Sequence, residues 1–182
     1  MAARSNFCES VMILIRPAAT ALLLTLAANS TAYAAEPSGC DKFKWDIARE
    51  RAALTASDRQ KLDSGSDLAA LPASGVLLTL RPLAEAKLPT PPERAPKDGS
   101  FAGVTRLTAA PKAGVYTVSL SAAAWIDLVQ DGRILKPIAF SGATDCDGIR
   151  KTVKYELAAQ PFTLQISGAP EATIAVAILP AE

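Results

Sequence analysis

From Phe101 onward the chain alternates apolar and polar residues with period two, and turn residues interrupt the rhythm at short intervals. Tyr116, Val118 and Leu120 interleave with Thr117 and Ser119. Val153, Tyr155 and Leu157 interleave with Lys154 and Glu156, and Phe162, Leu164 and Ile166 with Thr163, Gln165 and Ser167. Ile174, Val176 and Ile178 close the series. Successive side chains of a strand point to opposite faces, so this pattern builds sheets with one buried face and does not suit a helix. Asp131-Gly132 separates Trp125–Gln130 from Arg133–Phe140, and both positions tolerate the positive φ of a two-residue type I′ hairpin. Short strands at this spacing predict a mainly β fold, an antiparallel, jelly-roll-like β-sandwich.

Ahead of that region the pattern changes. Between Cys40 and Leu71 the spacing is helical, and a short helix over 46–55 places Phe43, Ile47 and Leu54 on one face with Asp46 as N-cap. The run Arg49-Glu50-Arg51 reads as a solvated face, and Trp45 as the side chain that docks the helix. Ser57 and Gln60 have capping-box spacing and suggest a second helical turn before the break at Ser64-Gly65-Ser66. Val76–Arg81 suits a first strand and Glu85–Leu88 a second. Pro89, Pro91, Pro92 and Pro96 then exclude helix and central strand and predict an extended surface loop that ends at Lys97-Asp98-Gly99-Ser100. The organisation expected is a helical N-terminal appendage over 35–75 and a β-sandwich over 76–182.

Residues 1–34 have the order of a secretory signal peptide: basic Arg4 and Arg16, an apolar run from Ala18 to Ala28, and the small-residue cleavage pattern Ala32-Tyr33-Ala34. The expected location is periplasmic or secreted. The apolar run is shorter than the roughly 20 residues that cross a bilayer, so no membrane span is expected. Cys8 leaves with this leader, and Cys40 and Cys146 remain. In an oxidising compartment such a pair reads as a disulfide, the alternative being two unrelated thiols. Without Arg4, Arg16 and Glu9 the basic and acidic residues are equal in number, which argues against a nucleic-acid partner.

The chain contains no histidine, which removes most metal and triad chemistry, and no cofactor is expected. There is no Gly-x-Ser-x-Gly elbow, Ser-x-x-Lys pair or phosphate loop, so no catalytic residue is assigned. Six residues stand out as a binding set. Trp125 and Asp127 share a strand face, as in sugar-binding surfaces, although the simpler reading packs the indole into the core or under the helix. Asp145 and Asp147 are alternate carboxylates that could offer oxygen ligands, yet turn chemistry accounts for them too. Arg150 and Lys151 could hold an anion or pair with those aspartates.

The runs Gly114-Val-Tyr-Thr-Val-Ser-Leu, Trp125-Ile-Asp-Leu-Val-Gln-Asp-Gly and Pro161-Phe-Thr-Leu-Gln-Ile-Ser-Gly resemble, in strand rhythm, the pre-peptidase C-terminal modules beside secreted bacterial enzymes. That resemblance implies a non-catalytic sandwich that adheres to substrates or partners. Cys40-Asp-Lys-Phe-Lys-Trp-Asp-Ile-Ala-Arg-Glu-Arg and Phe140-Ser-Gly-Ala-Thr-Asp-Cys also resemble a group of small exported proteins of α-proteobacteria, some of which carry a homogentisate dioxygenase name. That enzyme family holds ferrous iron with two histidines and a carboxylate, which a chain without histidine cannot build. The expected function is therefore an exported module that binds a protein, envelope or glycan partner. A small carboxylate-based, glycosidase-like enzyme and a structural envelope protein are the alternatives.

Overall fold

In the computed structural model, which describes residues 35–109 and 111–182, the chain is mainly β with one short α-helix. The expected signal peptide lies outside the described residues. The strands are β1 (Gln60–Asp63), β2 (Asp67–Leu68), β3 (Val76–Thr79), β4 (Arg81–Pro82), β5 (Phe101–Leu107), β6 (Gly114–Leu120), β7 (Trp125–Gln130), β8 (Arg133–Ile134), β9 (Ala139–Gly142), β10 (Lys151–Leu157), β11 (Phe162–Ala169) and β12 (Thr173–Pro180). A first sheet runs β1-β3-β12-β6-β10-β9 and a second runs β2-β5-β11-β7-β8, with β4 also paired to β5. Most pairs are antiparallel, as expected. The exceptions are β1 with β3 and β2 with β5, so both sheets are mixed at one edge.

The period-two pattern decides what lies between the sheets. Val118, Leu120, Ile174, Val176 and Val153 face inward from the first sheet, and Leu107, Ile126, Leu128, Phe162, Leu164 and Ile166 face them from the second. Each such side chain contributes roughly 1.5–3 kcal/mol on burial. The Asp131-Gly132 hairpin is as expected, with φ of 49° and 69° joining β7 to β8.

Three segments depart from the sequence expectation. The second helical turn at Ser57–Gln60 is absent. The chain there enters β1 and β2, which lie in different sheets, because Leu62 and Leu68 both bury in the core between the sheets. The expected appendage is thus helical only to Thr55, and its remainder forms an edge of each sheet. Glu85–Leu88 is not a strand; Leu83–Glu85 form a 3-10 turn. The single strand expected over Arg133–Phe140 is divided, with β8 in the second sheet and β9 in the first. Pro137 lies at the crossing, where a missing N–H would break a continuous ladder.

Helix α1 (Ala48–Thr55) covers the outer face of the first sheet. The N-cap is Ile47 rather than the expected Asp46, which lies one residue earlier and accepts from Ala48 N through Oδ1 at 2.9 Å. Ile47, Ala53 and Leu54 pack with Ala175, Ala177 and Ile149, with Phe43 and Trp45 at the margin. Glu50 does not belong to a solvated face. It is 6 % exposed, because positions 50, 53 and 54 share one side of a helix. Cys40 and Cys146 form a disulfide, Sγ to Sγ 2.08 Å, and tie this segment to the loop before β10. The bond fits an oxidising compartment outside the cytoplasm.

Candidate binding surface

The second sheet turns Asp127 and Gln165 outward in register with each other, and both are buried, at 1 % and 0 % exposure. The proline-rich segment covers them. Thr90 lies between prolines that cannot donate to a ladder, and the Gln165 amide replaces a strand partner: it accepts from Thr90 N at 2.9 Å and donates to Thr90 O at 3.0 Å. Asp127 accepts from Trp125 Nε1 at 2.9 Å on one oxygen and from Glu93 N at 3.4 Å on the other. Burial pushes the Asp127 carboxyl above the usual aspartate range, against the pull of those two donors. The segment expected as a surface loop is therefore a strap held by buried polar side chains. Asp127 is engaged in holding it and offers no oxygen to a sugar.

Asp127 orients Trp125, whose ring is half-buried and lies at the margin of the strap. Arg94 stands 5.7 Å from the ring centroid and Lys151 Nζ stands 5.5 Å from it. Lys151 Nζ is also 5.8 Å from the Phe140 ring, and Lys44 Nζ is 5.9 Å from that same ring. Cations and aromatic faces thus alternate in the order Arg94, Trp125, Lys151, Phe140, Lys44, each contact within the range of a cation–π attraction. Lys151 also donates to Ala124 O at 2.8 Å. Burial, and then the charges of Arg150 and Arg94, hold its ammonium below the usual lysine range. Phe140 is 54 % exposed and Ile138 is 56 % exposed, and β9 is an edge strand.

Of the six expected residues, Trp125, Asp127 and Lys151 come together. The other three secure the N-terminal segment. Asp145 accepts from Ser38 Oγ at 2.5 Å, and its φ of 54° belongs to a tight turn. Asp147 takes Arg51 through its carbonyl oxygen at 2.7 Å. Arg150 pairs with Glu36. Asp145 and Asp147 thus have separate partners, and no cluster of three or more metal-ligating side chains occurs among the described residues. Arg150 is thus engaged by Glu36, while Lys151 donates to Ala124 O.

Sequence reasoning missed Arg94, Phe140, Ile138 and Lys44. One signal was available: Ile138 and Phe140 follow Pro137, which forecast that this run could not stay inside a continuous central strand. Arg94 and Lys44 gave none, because their aromatic partners are distant in sequence. Among the described residues, no helix is long and apolar enough to cross a membrane. No family model, curated protein or solved structure matches the chain.

Proposed function

We propose that the protein is an exported, non-catalytic β-sandwich module that binds an envelope, protein or glycan partner through the strip from Arg94 to Lys44. The leader pattern of residues 1–34 and the Cys40–Cys146 bond support a periplasmic or secreted location. The observation that carries the binding reading is the alternation of three cations with Trp125 and an exposed Phe140 beside the equally exposed Ile138. An aromatic face stacks on the apolar face of a sugar or on a hydrophobic side chain. The neighbouring cations meet a carboxylate or phosphate on the same partner. An acidic envelope glycan satisfies both requirements.

The test is equilibrium binding of the mature chain to an acidic polysaccharide such as alginate, with neutral dextran as control and tryptophan fluorescence, to which Trp125 contributes, as one readout. A Phe140→Ala, Lys151→Met double variant should bind roughly tenfold more weakly or worse, given two cation–π contacts at each residue. Equal binding by variant and parent, or equal affinity for dextran, would refute the assignment of this strip.

A further inference from the structure

Among the described residues three large apolar side chains are exposed, and the two most exposed, Ile138 and Phe140, stand two positions apart. Pro137 beside them is exposed as well. A single exposed apolar side chain needs no account, but this run forms a patch that water disfavours. Its origin is local. Phe140 is in register with the core residue Val153, so it points to the side of the sheet that carries the core, yet β9 is the last strand and the second sheet does not cover it.

Cations border the patch. The ammoniums of Lys44 and Lys151 lie 5.9 and 5.8 Å from the centre of the Phe140 ring, and Arg94 lies 5.7 Å from that of Trp125. None of these three has a carboxylate partner among the described residues, whereas their neighbours Lys136 and Arg150 are taken by Glu93 and Glu36. Lys44 and Arg94 are exposed at the two ends of the strip. The charge that complements it is therefore negative.

A soluble acidic glycan meets the cations and the aromatic faces, but it offers nothing to Ile138, because an aliphatic side chain gains only from an apolar phase. A partner with anionic groups directly above an apolar layer matches both. That layering is found where the headgroups of an anionic bilayer meet its acyl chains, the level at which indole rings and lysine stems also settle. We propose that the strip docks on an anionic phospholipid surface, with Ile138 and Phe140 entering the acyl boundary and Lys44, Arg94 and Lys151 on the phosphates. This rests on the strip being the binding surface, and it goes beyond that reading in giving Ile138 a role that a soluble glycan does not.

The test is co-sedimentation of the mature chain with vesicles of phosphatidylcholine containing one-third phosphatidylglycerol, read beside the alginate measurement. Binding to these vesicles should fall as salt rises and should be weak on phosphatidylcholine alone. Ile138→Ser should weaken it about fivefold or more, for half an isoleucine surface no longer moved out of water, and leave alginate affinity unchanged. An Ile138→Trp chain should bind, and bromine atoms on the acyl chains should quench its added fluorescence. The Phe140→Ala, Lys151→Met double variant should lose both partners. No vesicle binding, equal binding by Ile138→Ser, equal binding to neutral vesicles or an unquenched Ile138→Trp chain would overturn the lipid assignment while alginate binding, and with it the glycan reading, stands. Conversely, vesicle binding that depends on Ile138 without any binding of alginate would uphold the lipid assignment and remove the glycan.

Discussion

Outside the first sheet, Ala175 and Ala177 meet Ile47, Ala53 and Leu54 in a largely apolar contact, and the Cys40–Cys146 bond ties the covering segment down. Outside the second sheet, Gln165 and Asp127 hold a proline-rich strap by hydrogen bonds and no covalent link. Both covers bury a sheet face. The first works because small residues on alternate positions of β12 leave room for a helix and the hydrophobic term needs no exact orientation. The second must satisfy the backbone of residues flanked by prolines, so its side chains need fixed geometry. An apolar cover tolerates sliding and gains from a tether; a polar cover is specific in position but weakened by the loss of any one partner.

The largest separation of the two covers should come from the disulfide. A Cys40→Ser, Cys146→Ser chain should lose about 2–5 kcal/mol in denaturant melts, the range for native bridges in small secreted domains. Hydrogen exchange should quicken across 38–55 and remain slow at Thr90. Equal acceleration at both covers would show that they are one cooperative unit.

Gln165→Ala should act in the opposite sense. It removes both partners of Thr90 and should cost about 1–3 kcal/mol, the penalty of leaving buried polar groups unmatched. Exchange at Thr90 should then rise while α1 stays protected. An effect within a few tenths of a kcal/mol would mean that the strap does not depend on this amide.

A smaller effect should follow from Asp127. Its folded carboxyl holds a proton to higher pH than the unfolded one, so in the window just above the ordinary value of 3.8 the folded state binds more protons. Stability contributed by this group should therefore be greatest at the acid side of that window and fall as pH rises through it. Urea melts across the window should show that slope, and Asp127→Asn should flatten it. An unchanged slope in the variant would assign it to other carboxylates.

The smallest effect belongs to the outer rim of the strap, where Lys136 pairs with Glu93 in partial exposure to solvent. Lys136→Met should change stability by less than about 1 kcal/mol. A larger loss would mean that the strap is held at its rim as much as by Gln165.

Much of the sandwich was legible because an alternating strand carries its own burial instruction. β6, β7, β10, β11 and β12 lie where period two and the turn residues placed them, and the Asp131-Gly132 turn needs only local φ. The apolar run Ile174-Ala-Val-Ala-Ile also carried a signal that one-face alternation hides: a strand apolar on both sides is covered on both sides. The candidate surface was legible only in part. Trp125 and Asp127 could be paired from strand geometry, but the role of Asp127 as a strap anchor needed Glu93, which lies 34 residues away.

By itself, then, the sequence determined the class of fold, the inward faces of the strands, the hairpin and the cysteine pair, since each of these follows from neighbours within a few residues or from the count of thiols. Only the tertiary structure decided that residues 60–68 feed both sheets, that Pro137 marks a crossing between them, and that Arg94, Trp125, Lys151, Phe140 and Lys44 share one strip. Those outcomes depend on which segments approach across the sandwich. That is fixed by the joint packing of the whole core, and a local pattern of residues contains no record of it.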